Sequence, residues 1–241
     1  VGSFGELYLN WGKGFPSNDV RGATIAYDPV SKTPLEPIDV FSGQEGAEVG
    51  YRIERDDDLV LSLAYFWLQS DSELIFAGDS GGTEASDGSE RSGLELAVFW
   101  ELNSNWVLDL TGSIVDSKFV AVDAKFDHIP NAHGRVISMG LTHAPVLGWN
   151  WSMRVRHFGD AALVEDDSIN YPSTTIINMG LSYKTDRWTA GVDLFNLADS
   201  EHYDIAYWYS SRLLSEVSPV EDIHFHPVNP RSIRVGLEYR F

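Results

Sequence analysis

The side chains best suited to chemistry gather in one stretch, residues 198–230. His202, Asp204, Asp222, His224 and His226 fall there, with Glu221 beside them. Imidazoles next to carboxylates can move protons or hold a metal ion. In His224-Phe225-His226 an extended backbone would put both imidazoles on one side, and Asp222 would join them as a third donor. A second acidic run, Glu165-Asp166-Asp167, could meet a cationic or metal-bearing ligand. No nucleophile elbow, Walker loop or zincin motif accompanies these residues. The Gly-rich tract from Gly78 to Gly88 and the Gly12–Gly14 pair open no helix, so neither is a phosphate cradle. The simpler reading is a set of polar surface loops. The expectation is therefore no catalytic residue, no resident metal and no cofactor, with these acids and histidines at most facing a ligand.

The elements that would position these loops show through a period of two. Ile233, Val235, Leu237, Tyr239 and Phe241 alternate with Arg234, Gly236, Glu238 and Arg240, one apolar face against one polar face. The same alternation runs through Leu7–Trp11, Ala47–Ile53, Leu59–Trp67, Leu94–Trp100, Trp106–Ile114, Ile137–Leu141, Trp149–Val155, Ile177–Tyr183 and Trp188–Leu194. Ten strands are predicted, in a single domain spanning residues 1–241. No segment has a helical period.

The connections alternate in length. Glu54–Asp58, Leu102–Asn105, Ala144–Gly148 and Lys184–Arg187 are short, and between them come Gly12–Ser42, Ala77–Ser89, Val120–His133, Gly159–Ser173 and Ala198–Pro230. Tight turns at one end and long loops at the other are the pattern of an up-and-down transmembrane barrel. A soluble antiparallel sandwich also alternates its faces. Two features favour the membrane. Arg154, Arg156, Glu95, Asp109, Arg234 and Glu238 mix both signs on the polar face, as a wet lumen does. Trp106, Trp149, Trp188, Tyr183, Tyr239 and Phe241 stand at strand ends on the apolar face, where an aromatic girdle belongs. No run of about 18 apolar residues offers a membrane helix, but a barrel strand needs only about 9–11 residues.

Composition narrows the partners. Asp and Glu number 36 against 17 Lys and Arg, a formal charge of -19, which is unsuited to nucleic acid. Most of the excess negative charge lies in the long connections, so an acidic mouth would draw cationic or metal-bearing ligands, or serve solubility alone. There is no cysteine, hence no disulfide and no thiolate site. The chain opens on Val1 without a charged-then-apolar leader and is read as a mature or excised piece.

Several stretches resemble TonB-dependent outer-membrane receptors. The final strand ends Tyr239-Arg240-Phe241, similar to the terminal aromatic signal of outer-membrane barrels. Asp193-Leu-Phe-Asn-Leu-Ala-Asp199 resembles the element before the last external loop of that family. Arg156-His-Phe-Gly-Asp160 with Leu163–Ser168, Asp222–Pro227 with Pro230-Arg231, and Trp11–Asp19 resemble other stretches of it. The resemblance implies a Gram-negative outer membrane, with barrel lipid around the wall. It also implies TonB-energised uptake of a scarce, bulky nutrient such as an iron–siderophore complex. Family members have 22 strands and an N-terminal plug, so this chain is expected to be the C-terminal portion of the barrel. It would be an open, curved ten-stranded sheet, with plug, remaining strands and TonB contact lying elsewhere. The alternative is a complete small barrel acting as an adhesin or surface protease, which would close its first strand onto its tenth.

Overall fold

The computed structural model describes residues 4–16, 26–27, 32–34, 41–56, 58–72, 74–77 and 82–241. Part of the Gly12–Ser42 connection, with Asp19, and residues 1–3, 57, 73 and 78–81 lie outside the described residues. The described chain is all strand and loop. It runs β1 (Phe4–Gly14), β2 (Gln44–Arg55), β3 (Leu59–Ser70), β4 (Leu74–Ala77), β5 (Gly82–Ala85), β6 (Ser89–Asn103), β7 (Trp106–Phe119) and β8 (Arg135–His143). Then come β9 (Gly148–Phe158), β10 (Ala161–Ala162), β11 (Asn170–Tyr171), β12 (Thr174–Lys184), β13 (Trp188–Phe195), β14 (Tyr203–Ser211), β15 (Val220–Pro227) and β16 (Ser232–Tyr239).

The ten predicted strands form one antiparallel sheet in the order β1-β2-β3-β6-β7-β8-β9-β12-β13-β16. Each long strand pairs with the next in sequence, so the short turns lie at one end and the long connections at the other. Among the described residues β1 pairs only with β2, and β16 only with β13. The sheet is open, as expected, and the closure required by the small-barrel alternative is not formed. The remaining six strands make three two-stranded hairpins inside long connections, β4-β5, β10-β11 and β14-β15. These corrected the expectation that the connections were loops throughout. Period-two alternation there is short or interrupted, and the aromatic run Tyr207-Trp208-Tyr209 breaks the apolar–polar rule.

Register confirms the two faces. Leu110 stands opposite Met139, Met139 opposite Val155, and Val192 opposite Val235, all on the apolar face. Leu9 and Val235 are more than three-quarters exposed, with Leu7, Ile233 and Leu237 close behind. An apolar face that continues from strand to strand across the sheet is what a lipid-facing surface presents. Near the short turns its aromatics touch one another. Trp106 meets Trp151 at 5.0 Å, Trp149 meets Tyr183 at 5.1 Å, Trp188 meets Tyr239 at 4.5 Å and Tyr239 meets Phe241 at 5.0 Å. This is the girdle predicted from the strand ends.

On the other face Asp109, Gly140 and Arg154 lie side by side on β7, β8 and β9. The absent side chain of Gly140 leaves the room in which the Arg154 guanidinium reaches Asp109 through two hydrogen bonds of 2.8 and 3.1 Å. Arg234 bonds Asp193 at 3.0 Å and lies over the Phe195 ring. Two depressions of the sheet open on this face, one beside Tyr8, Glu48, Ser62 and Glu95, another beside Ser152, Ser182, Asp193 and Arg234. The polar face is thus the hollow side. Tyr8 packs over Gly50 on this face, and Tyr51 over Gly5 on the other, so aromatic rings cover one glycine on each strand of the first pair.

Candidate functional site

The last three long connections meet at the rim opposite the short turns, and the residues of interest are there. Apart from Ala64, every buried apolar side chain among the described residues sits at or beyond the strand tops: Phe119, Ile129, Ala161, Ala162, Leu163, Tyr171, Ala206 and Val228. The physical reason is the barrel itself. Its outward apolar face is buried by lipid, so only the water-exposed rim needs a core of its own protein.

Hairpin β14-β15 is built on alternation. Ala206, Trp208 and Ile223 turn to one side and join Ala161, Leu163, Ile169 and Tyr171 in a small core. Asp222, His224 and His226 share the opposite side, as predicted. They do not converge. The Nδ1 of His224 lies 3.0 Å from the Asp222 carbonyl, which can only accept, so Nδ1 carries the proton. Nε2 then accepts from the Ser211 hydroxyl at 2.6 Å, and the ring stacks on Tyr209 at 3.7 Å. Both nitrogens are engaged within the protein. His226 instead faces Asp204 at 3.5 Å, both about two-thirds exposed. His202 is exposed and contributes its carbonyl to Val228 N–H at 3.1 Å. Among the described residues no three His, Asp or Glu side chains are placed to hold a metal ion.

Glu165, Asp166 and Asp167 form the turn between β10 and β11. The Asp166 carboxylate accepts from the Ser168 hydroxyl at 2.6 Å and from its N–H at 3.2 Å, and these bonds hold its pKa below the ordinary value. Asp167 takes a φ of 56°, a conformation Asp tolerates. The Glu165 carbonyl accepts from His128 N–H at 3.2 Å. Geometry thus makes two of these candidates turn-formers and leaves the Glu165 side chain exposed.

Three structural residues escaped the sequence reading of chemistry. Tyr171, 2% exposed, donates its hydroxyl to the Tyr203 carbonyl at 2.5 Å and packs against His133 and Tyr203. Burial raises its pKa, so the hydroxyl stays protonated and donating. His133 donates from Nδ1 to the Gly159 carbonyl at 2.7 Å. Asn196, 3% exposed with a φ of 49°, spends every polar group. Its N–H donates to Asn178, its side-chain amide donates to the carbonyls of Ser200 and Asn229, and its Oδ1 accepts from Ser200 N–H, all within 3.0 Å. For Asn196 the signal was the resemblance; Tyr171 and His133 lie outside the stretches that carried it. Arg156–Asp160 and Asp193–Asp199 turn out to be strand-top clamps: Gly159 has Arg135 backbone packed where a Cβ would stand, and Asp199 pairs with Arg231 at 3.0 Å across the feet of hairpin β14-β15.

An open antiparallel sheet with a lipid face, a charged hollow face, a girdle at the short turns and structured loops at the far rim is part of the wall of a transmembrane β-barrel. The sequence agrees. The family model described as TonB dependent receptor-like, beta-barrel matches residues 3–197, and the chain belongs to that family of the Gram-negative outer membrane. Solved structures share the fold. The ferric yersiniabactin uptake receptor of Yersinia pestis superposes with a TM-score of 0.71 at 18% identity, covering 98% of this chain and 35% of its own. The ferric-catecholate import receptor of Escherichia coli K12 gives 0.69 at 15%, covering 98% and 33%. A copper transporter gives 0.67 at 14%, covering 98% and 37%. The chain therefore spans about a third of the length of the structures it matches.

Proposed function

We propose that this chain is the C-terminal portion of the barrel of a receptor for TonB-energised uptake of a scarce metal chelate, with an iron–siderophore complex as the leading substrate class. The observation that carries the proposal is the open ten-stranded sheet, which superposes over nearly its whole length on about a third of such receptors. In this reading the rim loops contact the ligand, the hollow face encloses a plug supplied by another part of a longer protein, and TonB acts through that part. The lumenal carboxylates Glu48 and Glu95 flank a depression on the hollow face and suit a cationic surface on whatever fills the lumen. No covalent chemistry is invoked. The copper transporter among the structural neighbours keeps free or weakly chelated metal as the competing ligand class. The test is uptake of radiolabelled iron, as a panel of ferric siderophores, and of copper, in a strain deleted for the gene and complemented with the full-length protein. Uptake of a ferric siderophore that stops on removal of TonB supports the proposal. Copper uptake alone would reassign the ligand, and uptake indifferent to TonB would overturn the mechanism.

A further inference from the structure

We propose that three rim segments, residues 119–133, 159–173 and 196–231, form one mechanical unit that opens and closes as a body, latched at Tyr171. The ties run from segment to segment. Asn131 N–H donates to the Ala162 carbonyl at 2.8 Å, and His128 N–H to Glu165 at 3.2 Å. His133 reaches the Gly159 carbonyl and packs on Tyr171, so the last residues of the first segment are bound to both ends of the second. The second is bound to the third by the hydroxyl of Tyr171 on Tyr203 and by the shared core of Ala161, Leu163, Tyr171 and Ala206. No strand of the ten-stranded sheet contributes to that core, so its burial energy couples loops to one another and not to the wall.

The unit also has defined roots. Asn196, with the Asp199–Arg231 pair, gathers both feet of hairpin β14-β15 onto the top of β12 and β13. Gly159 N–H on the Arg135 carbonyl does the same for β8 and β9. Between these roots Tyr171 touches both His133 of the first segment and Tyr203 of the third. Independent loops would open one at a time; a core shared by the second and third segments, to which the first is tied through His133 on Tyr171, makes opening cooperative, because breaking it exposes the apolar surface of both and frees the first. The inference rests on the rim being the aqueous face of the proposed receptor, but its test does not depend on transport.

The experiment is hydrogen–deuterium exchange by mass spectrometry on the full-length protein in nanodiscs, with peptides covering 128–133, 161–171 and 203–226. Under conditions where exchange follows opening directly, the wild-type protein is expected to show one common opening rate for the three sets. Tyr171→Phe, which keeps the ring and loses the hydroxyl, is expected to speed exchange in all three by roughly five-fold. Tyr171→Ala should speed it much further. If the wild-type segments open at unrelated rates, or if Tyr171→Phe alters 161–171 while 203–226 is unchanged, the unit does not exist. The wild-type measurement stands even if Tyr171→Ala fails to assemble.

Discussion

Asn196 shows how much one polar side chain can organise when all of its groups are used. It is buried, its backbone is left-handed, and both feet of a long hairpin hang from its amide. Replacing it by Ala removes the partner of the Ser200 N–H and of the Ser200 and Asn229 carbonyls and strains the backbone. The expected cost is about 1–3 kcal/mol, localised at the rim. It should appear as faster exchange at Ser200 with the strand amides of β12 and β13 unchanged; equal loss through the whole sheet would contradict the clamp. Asp166 offers a pH prediction of definite sign. Its pKa is depressed because the ionised carboxylate accepts two bonds from Ser168. A depressed folded value means that the turn is fully supported above the ordinary carboxylate range and loses that support as pH falls through the lower, folded value. The β10-β11 turn is therefore expected to be indifferent to pH between about 5 and 8 and to loosen only below about 4. Ser168→Ala should move the Asp166 titration upward, as followed by carboxyl chemical shifts; an unchanged titration would show that Ser168 is not the cause.

At the scale of the element, the strands divide labour between faces with little tolerance. In β16 Leu237 points to lipid, opposite Ala190, and Glu238 points to the lumen, opposite Thr189. Leu237→Arg is expected to cost about 2–4 kcal/mol if the position lies near mid-membrane, falling toward zero at the interface. Glu238→Arg should be close to neutral, since that face is wet. Denaturant unfolding in lipid vesicles would separate the two, and equal costs would refute the assigned faces. The same alternation that makes strands legible in sequence makes the hairpins of the rim hard to see. Hairpin β14-β15 has one side set against neighbouring loops and the other carrying Tyr, His and Asp, so aromatic residues occur on both sides. Its signal is a cluster of rings rather than a period.

At the scale of the molecule, two sheet edges are unpaired among the described residues, and a bilayer does not accept unpaired backbone groups. Residues 1–241 expressed alone are expected to refold in detergent, if at all, without the heat-resistant mobility of a closed barrel, and with fast exchange along the outer edges of β1 and β16. A closed, heat-modifiable product would restore the small-barrel alternative. The ten wall strands, their faces, the sidedness of the turns and the aromatic girdle were all legible in the sequence. Each depends on a local period of two read against two solvents, and neither needs knowledge of distant residues. What the tertiary structure alone decided was the rim. His224 and His226 look like a metal pair in the chain, yet Ser211 and Asp222 occupy both nitrogens of the first ring, and the second turns to Asp204. Tyr171 looks like any loop tyrosine, yet it is the most enclosed ring of the rim core. Such roles arise from contacts between segments dozens of residues apart, and periodicity carries no information about which loop leans on which.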